Sequence, residues 1–528
     1  MAQANTLVHG STTITLTSGD YQVMTHNLGV PRTDDPNETV TDSFELRIDA
    51  TSLTNLQADV RNINKALDLA WRRRKTGTGD RVYITFKESG DTPTFRAEIY
   101  NDDIRQRPGR LVIDSQWLGQ PFFINASFVK ALITYTRKSW EDNAETELEL
   151  SNGGAVAAIG GISIRNPHTT AVFTGTTVSF EATDTIADSG DGFGIFAIGD
   201  MISLRGSTSN NGVFTVATVA AGAITVNETI VDEDAGDTVV IYDLLHFVDI
   251  DSTEITGDMP TPVRLELINE DAGASLETLW IGANSISDAA SFANILDFAD
   301  SNTGSDSSNA AAVSGLYRQY SITTTEAKVT GWTIEAATLT AAKSRWFKCI
   351  LRSYNGTNMT DVKLRIKILY STKVIYTGAQ VEYDDTYAGI ARLWREIDTV
   401  QLPPFAMDGN APTDLTLELW GVSTSGGAET VDLDCIMLLP VDGSRKIKSL
   451  KGVAQNSIVH EDGILQNYYQ EISSAIVRDM VAEGDHVYLW PGVDNRIYFV
   501  QHSVTANTAD IDREMTVSAF YRPRRSII

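Results

Sequence analysis

Acidic pairs such as Asp384-Asp385 carry the oxygen ligands that calcium prefers, and paired carboxylates can also share the acid and base roles of glycosidic cleavage. Exposed turn acids have the same signature, and carboxylate separation is not readable from sequence. The seven histidines, His9, His26, His168, His246, His460, His486 and His502, are scattered, and none has metal-ligand spacing. Cys349 and Cys435 each sit in an apolar strand-like run, where a thiol packs as a small hydrophobe. Neither belongs to a Cys-x-x-Cys pair, and whether they bridge stays open. Gly190-Asp191-Gly192-Phe193-Gly194 lacks the strand-to-helix context of a dinucleotide fingerprint and reads as a flexible loop. No Gly-x-Ser-x-Gly, His-Glu-x-x-His, Walker or EF-hand pattern occurs. Trp394, Trp420 and Trp490 have the ring faces to stack on sugars, with core or interface packing as the competing role. Asn355-Gly356-Thr357 is a chance sequon in a Thr-rich chain. These residues imply no enzyme, cofactor or metal.

The elements around them are those of a large β protein. At 528 residues the chain exceeds one ordinary core and suggests three or four domains. Its formal charge, 42 − 69 = −27, repels phosphate backbones and anionic lipid, which argues against nucleic acid as a partner. No apolar run is long enough for membrane insertion, and the N-terminus has no secretion pattern, so synthesis in the cytoplasm is expected.

Thr13 to Thr17 and Phe44, Leu46 and Ile48 alternate as strands, separated by an exposed turn-rich loop around Pro31 to Asn37. Leu56, Val60, Ile63, Leu67 and Trp71 fall on one face of a 3.6-residue period and predict a helix starting at Thr54. Thr54 and Gln57 suit a capping box, and Arg72, Arg73, Arg74 and Lys75 suit the negative end of its dipole. Strands are expected at 82–86, 95–99, 111–114 and 128–135, making residues 1–150 a β-sandwich with one packed helix.

Gly153-Gly154 marks a boundary, after which residues 165–250 read as a small inserted β module, a compact barrel. Its strands at 200–204, 213–216 and 223–226 are separated by Asn210-Asn211-Gly212 and Ala221-Gly222, both turn signals. Residues 260–442 alternate most clearly. Val263, Leu265 and Leu267, then Val362 to Ile368, Leu415 to Leu419, and Leu433 to Leu439 predict half-buried antiparallel strands of a galectin-like or jelly-roll sandwich. Ser301 to Ala311 reads as a surface loop. Residues 443–528 form a C-terminal β segment that could complete an earlier domain.

Thr136-Arg137-Lys138-Ser139-Trp140-Glu141, the run Trp394 to Pro404, the run Asp432 to Asp442, and Asn495 to Phe499 with Tyr521-Arg522-Pro523-Arg524 resemble, in that order, distal tail or minor tail proteins of long-tailed bacteriophages and prophages. The resemblance covers about half of the chain. It implies a ring-forming, tail-tube-like domain followed by a galectin-like sandwich, in a virion protein that makes a homo-oligomeric ring, a hexamer or trimer. The tail tube and the tail-tip or tape-measure proteins would be its partners. Arg72, Arg73, Arg74, Trp140, Arg522, Arg524 and Arg525 are then the candidate interface residues. The alternative is a host-surface adhesin gripping glycan through Trp394 and Trp420; a glycan-cleaving tail enzyme ranks third.

Overall fold

The computed structural model describes residues 4–31, 38–49, 51–76, 79–87, 94–113, 128–152, 159–167, 171–270, 276–286, 294–300, 303–308, 312–336, 346–353, 361–383, 393–402, 414–441, 443–502 and 514–526. The protein is mainly β, with one long helix. It divides into two compact units, one of Met1–Thr146, Ile255–Thr261 and Tyr521–Ile528, the other of Glu147–Glu254 and Pro262–Phe520. Sandwich-type sheets account for both. Asp384-Asp385, Asn355-Gly356-Thr357 and most of the loop at 31–37 fall outside the described residues.

In the first unit, Tyr21–Asn27, Val40–Asp49, Phe128–Arg137 and Gly109–Ile113 form one sheet in that spatial order. The second sheet runs Thr12–Thr15, Ala4–His9, Val82–Lys87, Phe95–Glu98, Trp140–Asp142 and Arg524–Arg525. Strands of both sheets meet the helix Leu53–Thr76, whose Leu56, Ile63, Ala66, Leu67 and Ala70 enter the same core as Phe44, Leu46 and Ile84. The helical period is therefore as expected, but its cap is not Thr54. Ser52 Oγ accepts from Asn55 N at 3.2 Å, so Ser52 is the capping residue and the helix opens one residue earlier. A cap is the non-helical residue just before the first turn, and Thr54 already lies within that turn.

In the second unit, seven strands of the small module follow the order Ala171–Gly175, Val239–Asp243, Met201–Arg205, Gly212–Ala220, Ala223–Val226, Thr185–Asp188 and Val178–Glu181. Val178, Phe180 and Ile186 from one end share a core with Ile202, Leu204 and Ile241 from the other, so the sheet curls on itself. Its two end strands do not pair among the described residues. Ala221-Gly222 is a two-residue hairpin turn, with Ala220 opposite Ala223. Asn211-Gly212 is not: it ends a longer connection, and Leu204 stands opposite Gly212. Asn210 decides this by holding both backbone groups of Val231, its Oδ1 accepting from the amide at 2.8 Å and its Nδ2 donating to the carbonyl at 2.9 Å. Nor is the Gly190 to Gly194 stretch a flexible loop. Asp188 accepts from the amides of Gly190 and Gly192 at 3.0 and 2.8 Å, and Gly192–Ile195 is a 3-10 turn with Phe193 in the core.

The sandwich of this unit packs the strands Ser305–Ser308, Leu316–Ile322, Glu429–Pro440, Trp346–Ser353 and Leu393–Gln401 against Ala327–Ile334, Leu415–Ser423, Val362–Tyr370 and Lys373–Thr377. Part of the expected surface loop at 301–311 is thus a strand, Ser305–Ser308, which pairs with Leu316–Ile322. Thr261–Asn269 and Leu276–Ile286 lie outside this sandwich; they pair with the later strands Ile458–Asp462, Ser444–Val453 and Asp494–His502. From Leu433 onward the strand Glu429–Pro440 is not half-buried as its alternation suggested: Ile436 and Leu438 are as buried as Leu433, Cys435, Met437 and Leu439. The reason is a second layer. Gly282 of Leu276–Ile286 comes so close that a Cβ there would meet Leu439 Cγ at 2.6 Å and Pro440 O at 2.7 Å.

Cys349 and Cys435 are free and buried in neighbouring strands, where Cys349 stands opposite Leu438 and Cys435 opposite Arg352. Burial pushes both thiols well above their ordinary range. The native protein is therefore expected to leave a thiol reagent such as DTNB unreacted until denaturant is added. Rapid labelling of two thiols in the folded state would contradict their packing.

His246 is likewise buried, and its Nε2 donates to Asn294 Oδ1 at 2.9 Å. Burial lowers its pKa to about 4. Below the ordinary histidine value the unfolded chain takes a proton that the folded chain refuses, so stability is complete above pH 6.5 and falls as the pH drops toward 4. The loss is worth about 2–3 kcal/mol near pH 4.5. Urea midpoints at near-neutral and mildly acid pH should show this slope in the parent chain and a shallower one in His246→Gln.

Candidate assembly surface

Among the described residues, the four-stranded sheet of the first unit ends on Tyr21–Asn27 and carries an apolar pair on its outer face. Tyr21–Asn27 is an edge strand, and its register with Val40–Asp49 shifts between Val23 and Thr25. Met24 sits at that bulge, 47% exposed. A bulge bends an edge and leaves one residue without a cross-strand partner, so only a surface of matching shape continues the sheet. Across the outer face, Val112, Leu132, Glu45 and Thr25 lie side by side in successive strands. Val112 and Leu132 are directly opposed, and each is nearly half exposed. Lys130 and Arg47 form the next row on one side, and Thr134 and Ser43 the row on the other. An apolar pair framed by polar residues is the composition of an interface centre and its rim.

Beyond the edge strand, exposed Leu28 and Val30 flank Gly29. Gly29 is held from both sides: its amide donates to Asp42 Oδ1 at 2.8 Å, and its carbonyl accepts from Arg137 Nη2 at 2.9 Å. Asp42 Oδ2 in turn accepts from Arg137 Nε at 2.6 Å and from the Tyr135 hydroxyl at 3.0 Å. Both charged side chains are wholly buried, and the guanidinium lies 4.6 Å from the Trp140 ring centre. Burial and the Asp42 charge hold Tyr135 well above the usual phenol range, so it remains a donor. Such a pair recovers its desolvation cost only when every remaining donor and acceptor is satisfied, and here the extra partners are Gly29 and the Lys138 carbonyl. A Cβ at Gly29 would meet Thr41 O at 2.9 Å, so this close approach requires glycine. His26 on the same strand packs its ring 4.0 Å from that of Phe44, and burial lowers its pKa to about 4. The edge is thus presented by a rigid, neutralised clamp.

No family model and no curated protein matches the chain. Among solved structures, the infectious bursal disease virus VP2 subviral particle aligns over 69% of this chain and 83% of its own, at 8% identity and a TM-score of 0.16. A structure of the Gt strain of infectious bursal disease virus aligns over 70% and 84%, at 10% identity and a TM-score of 0.15. Scores of this size carry no argument about fold or function. The chemistry of the chain is read from its own residues.

Those residues redistribute the sequence-based candidates. Trp140 is buried at 1% exposure beneath Arg137 and is core, not interface. Arg524 is also buried, in a strand that pairs with Trp140–Asp142. Arg522 donates to the carbonyls of Asp142 and Asn143, and Arg525 Nε lies 3.2 Å from Asp142 Oδ1. The C-terminal arginines therefore close their own unit instead of reaching for a neighbour. At the helix end, Arg73 donates to the Gly79 carbonyl, and Arg74 donates to Asp102 O at 3.4 Å and lies over the Tyr100 ring. Arg72 is exposed.

The two proposed glycan-stacking residues also separate. Trp394 is buried in the sandwich core at 2% exposure, so it offers no face to a sugar. Trp420 is half-buried, with Lys367 Nζ 3.2 Å from its ring centre and its own Nε1 donating to Glu418 at 2.8 Å. A cation already occupies one ring face. Met24, Leu28, Val30, Val112 and Leu132 were not singled out in the sequence. Leu132 and Val112 break the polar alternation of their strands, and that was the available signal.

Proposed function

We propose that the chain is a structural protein of a virus particle, without catalysis, forming a homo-oligomeric ring of three or six copies at the distal end of a long bacteriophage tail. The observation that carries the reading is the bulged edge Tyr21–Asn27, unpaired on its outer side among the described residues, with exposed Met24 at the bulge and exposed Leu28 and Val30 flanking the clamped Gly29. A rigid edge loses little entropy on pairing, and a surface that repeats at a fixed rotation closes into a ring. Ring closure also removes the free edges that would otherwise recruit unrelated chains. Supporting this are the order of sequence blocks, which resembles that of tail proteins, and a strongly acidic composition that favours solubility of the copies before assembly. The tail tube and the tail-tip or tape-measure proteins would contact the ring faces, placing the protein in the virion.

Sedimentation of the purified full-length chain, with electron microscopy of the heaviest species, tests the reading. Closed rings of one size are the expected result. A chain that stays monomeric at high concentration, and is missing from tail ends imaged in the particle, would refute it.

A further inference from the structure

A second feature, in the other unit, stands independently of the ring reading. The small module and the sandwich enclose between them an open groove of about 360 Å³. Phe214, Leu296 and Trp332 supply apolar surface, and each keeps 6–8% of its area exposed. Trp332 has already spent its one donor on the Asp297 carbonyl at 2.9 Å, so only its apolar ring is left to offer. Facing this surface are two carboxylates from different parts of the fold. Glu228 comes from the module, and Glu335 follows the strand Ala327–Ile334 of the sandwich.

Glu228 is oriented by Thr215, whose amide donates to Oε2 at 2.7 Å and whose hydroxyl donates to Oε1 at 3.0 Å. Burial pushes its carboxyl up to about 7, and the charge of Glu335 pushes in the same direction. The other acid lining the groove, Asp297, is buried and paired with Arg205, which cancels its charge. Two carboxylates without a salt-bridge partner therefore line one groove with an apolar floor, and no Lys, Arg or His is among the lining residues.

We propose that this groove takes the basic side chain of a partner protein, an arginine or lysine, with its methylene stem along Phe214 and Trp332 and its cationic head between Glu228 and Glu335. The stem of such a residue is apolar and its head is charged, which is the division the groove presents. A cation also relieves the repulsion between the two carboxylates, whereas a neutral sugar would leave it in place. Because the cation favours the ionised form of Glu228, binding expels a proton near neutral pH.

Titration calorimetry of the full-length protein with an acetylated, amidated Gly-Arg-Gly peptide tests the assignment. An isosteric Gly-citrulline-Gly peptide and a neutral oligosaccharide serve as comparison ligands. Saturable binding of the arginine peptide is expected, at least about tenfold tighter than citrulline, strengthening between about pH 6 and pH 8. Near pH 7, two buffers of different ionisation enthalpy should reveal proton release in the parent chain and none in Glu228→Gln. Glu335→Gln should weaken binding about tenfold, while Glu181→Gln, an equal charge change at an exposed module position, should alter it less than about twofold. Equal affinity for citrulline, an equal loss with Glu181→Gln, preference for the saccharide, or no saturable binding near pH 8 would each overturn the proposal. Near-ultraviolet dichroism of each variant separates a lost pocket from a lost fold.

Discussion

A chain carrying Met24→Lys together with Leu132→Lys is expected to sediment as a monomer under conditions in which the parent forms rings. Neither residue supports its own core: Met24 stands at an edge bulge and Leu132 on an outer sheet face, each nearly half exposed. The monomer should therefore keep its thermal transition. Each is already about half buried in the monomer, so covering the remainder of both at an interface contributes roughly 1.5–3 kcal/mol. Since 1.4 kcal/mol is a tenfold change, each interface should weaken by about 10–10²-fold before any cost of burying the introduced charges. Every copy in a closed ring suffers the same loss, so assembly should fail as a whole. Sedimentation velocity provides the measurement. Undiminished rings in the double variant would place the assembly surface elsewhere on the molecule.

Arg137→Met should lower the stability of the first unit by about 3–5 kcal/mol, the usual consequence of stranding one member of a buried ion pair. The loss follows from the geometry around Asp42. Without the guanidinium, Asp42 keeps only the Tyr135 hydroxyl and the Gly29 amide, and the Gly29 carbonyl loses its donor. Asp42→Asn alongside Arg137→Met should recover part of the stability, because it removes the unpaired charge. Hydrogen exchange read on peptides of the strands Val40–Asp49 and Phe128–Arg137 isolates this unit from the rest of the chain. A change below about 1 kcal/mol would mean that solvent reaches the pair freely. The same substitution releases Gly29, so rings should weaken even where the unit remains folded.

These two expectations rest on features of different legibility. The apolar face of the helix could be read directly, since Leu56, Ile63 and Leu67 recur at helical spacing and all three are buried. Strand alternation at Val362 to Ile368 and Leu415 to Leu419 was equally direct. Short-range periodicity survives in the sequence because each side chain's direction follows from its own backbone. Arg137 and Trp140 stood inside a conspicuous run, yet their burial beside Asp42 could not be deduced, because Asp42 lies on another strand nearly a hundred residues earlier. The arginines near the C-terminus posed the same difficulty: their partner, Asp142, is close only after the last strand joins the first unit.

What the amino-acid order determined alone is the β class, the single long helix, the separation of an acidic, Thr-rich module, and most strand positions. All of these depend on local propensity and on alternation between core and solvent. Tertiary structure alone decided which tryptophans are hidden, which arginines are already engaged, and which strand remains an edge. It also decided that residues 433–440 of the strand Glu429–Pro440 are covered on both faces. Each of these outcomes depends on what packs against a residue from far along the chain, and a single strand carries no record of its neighbours.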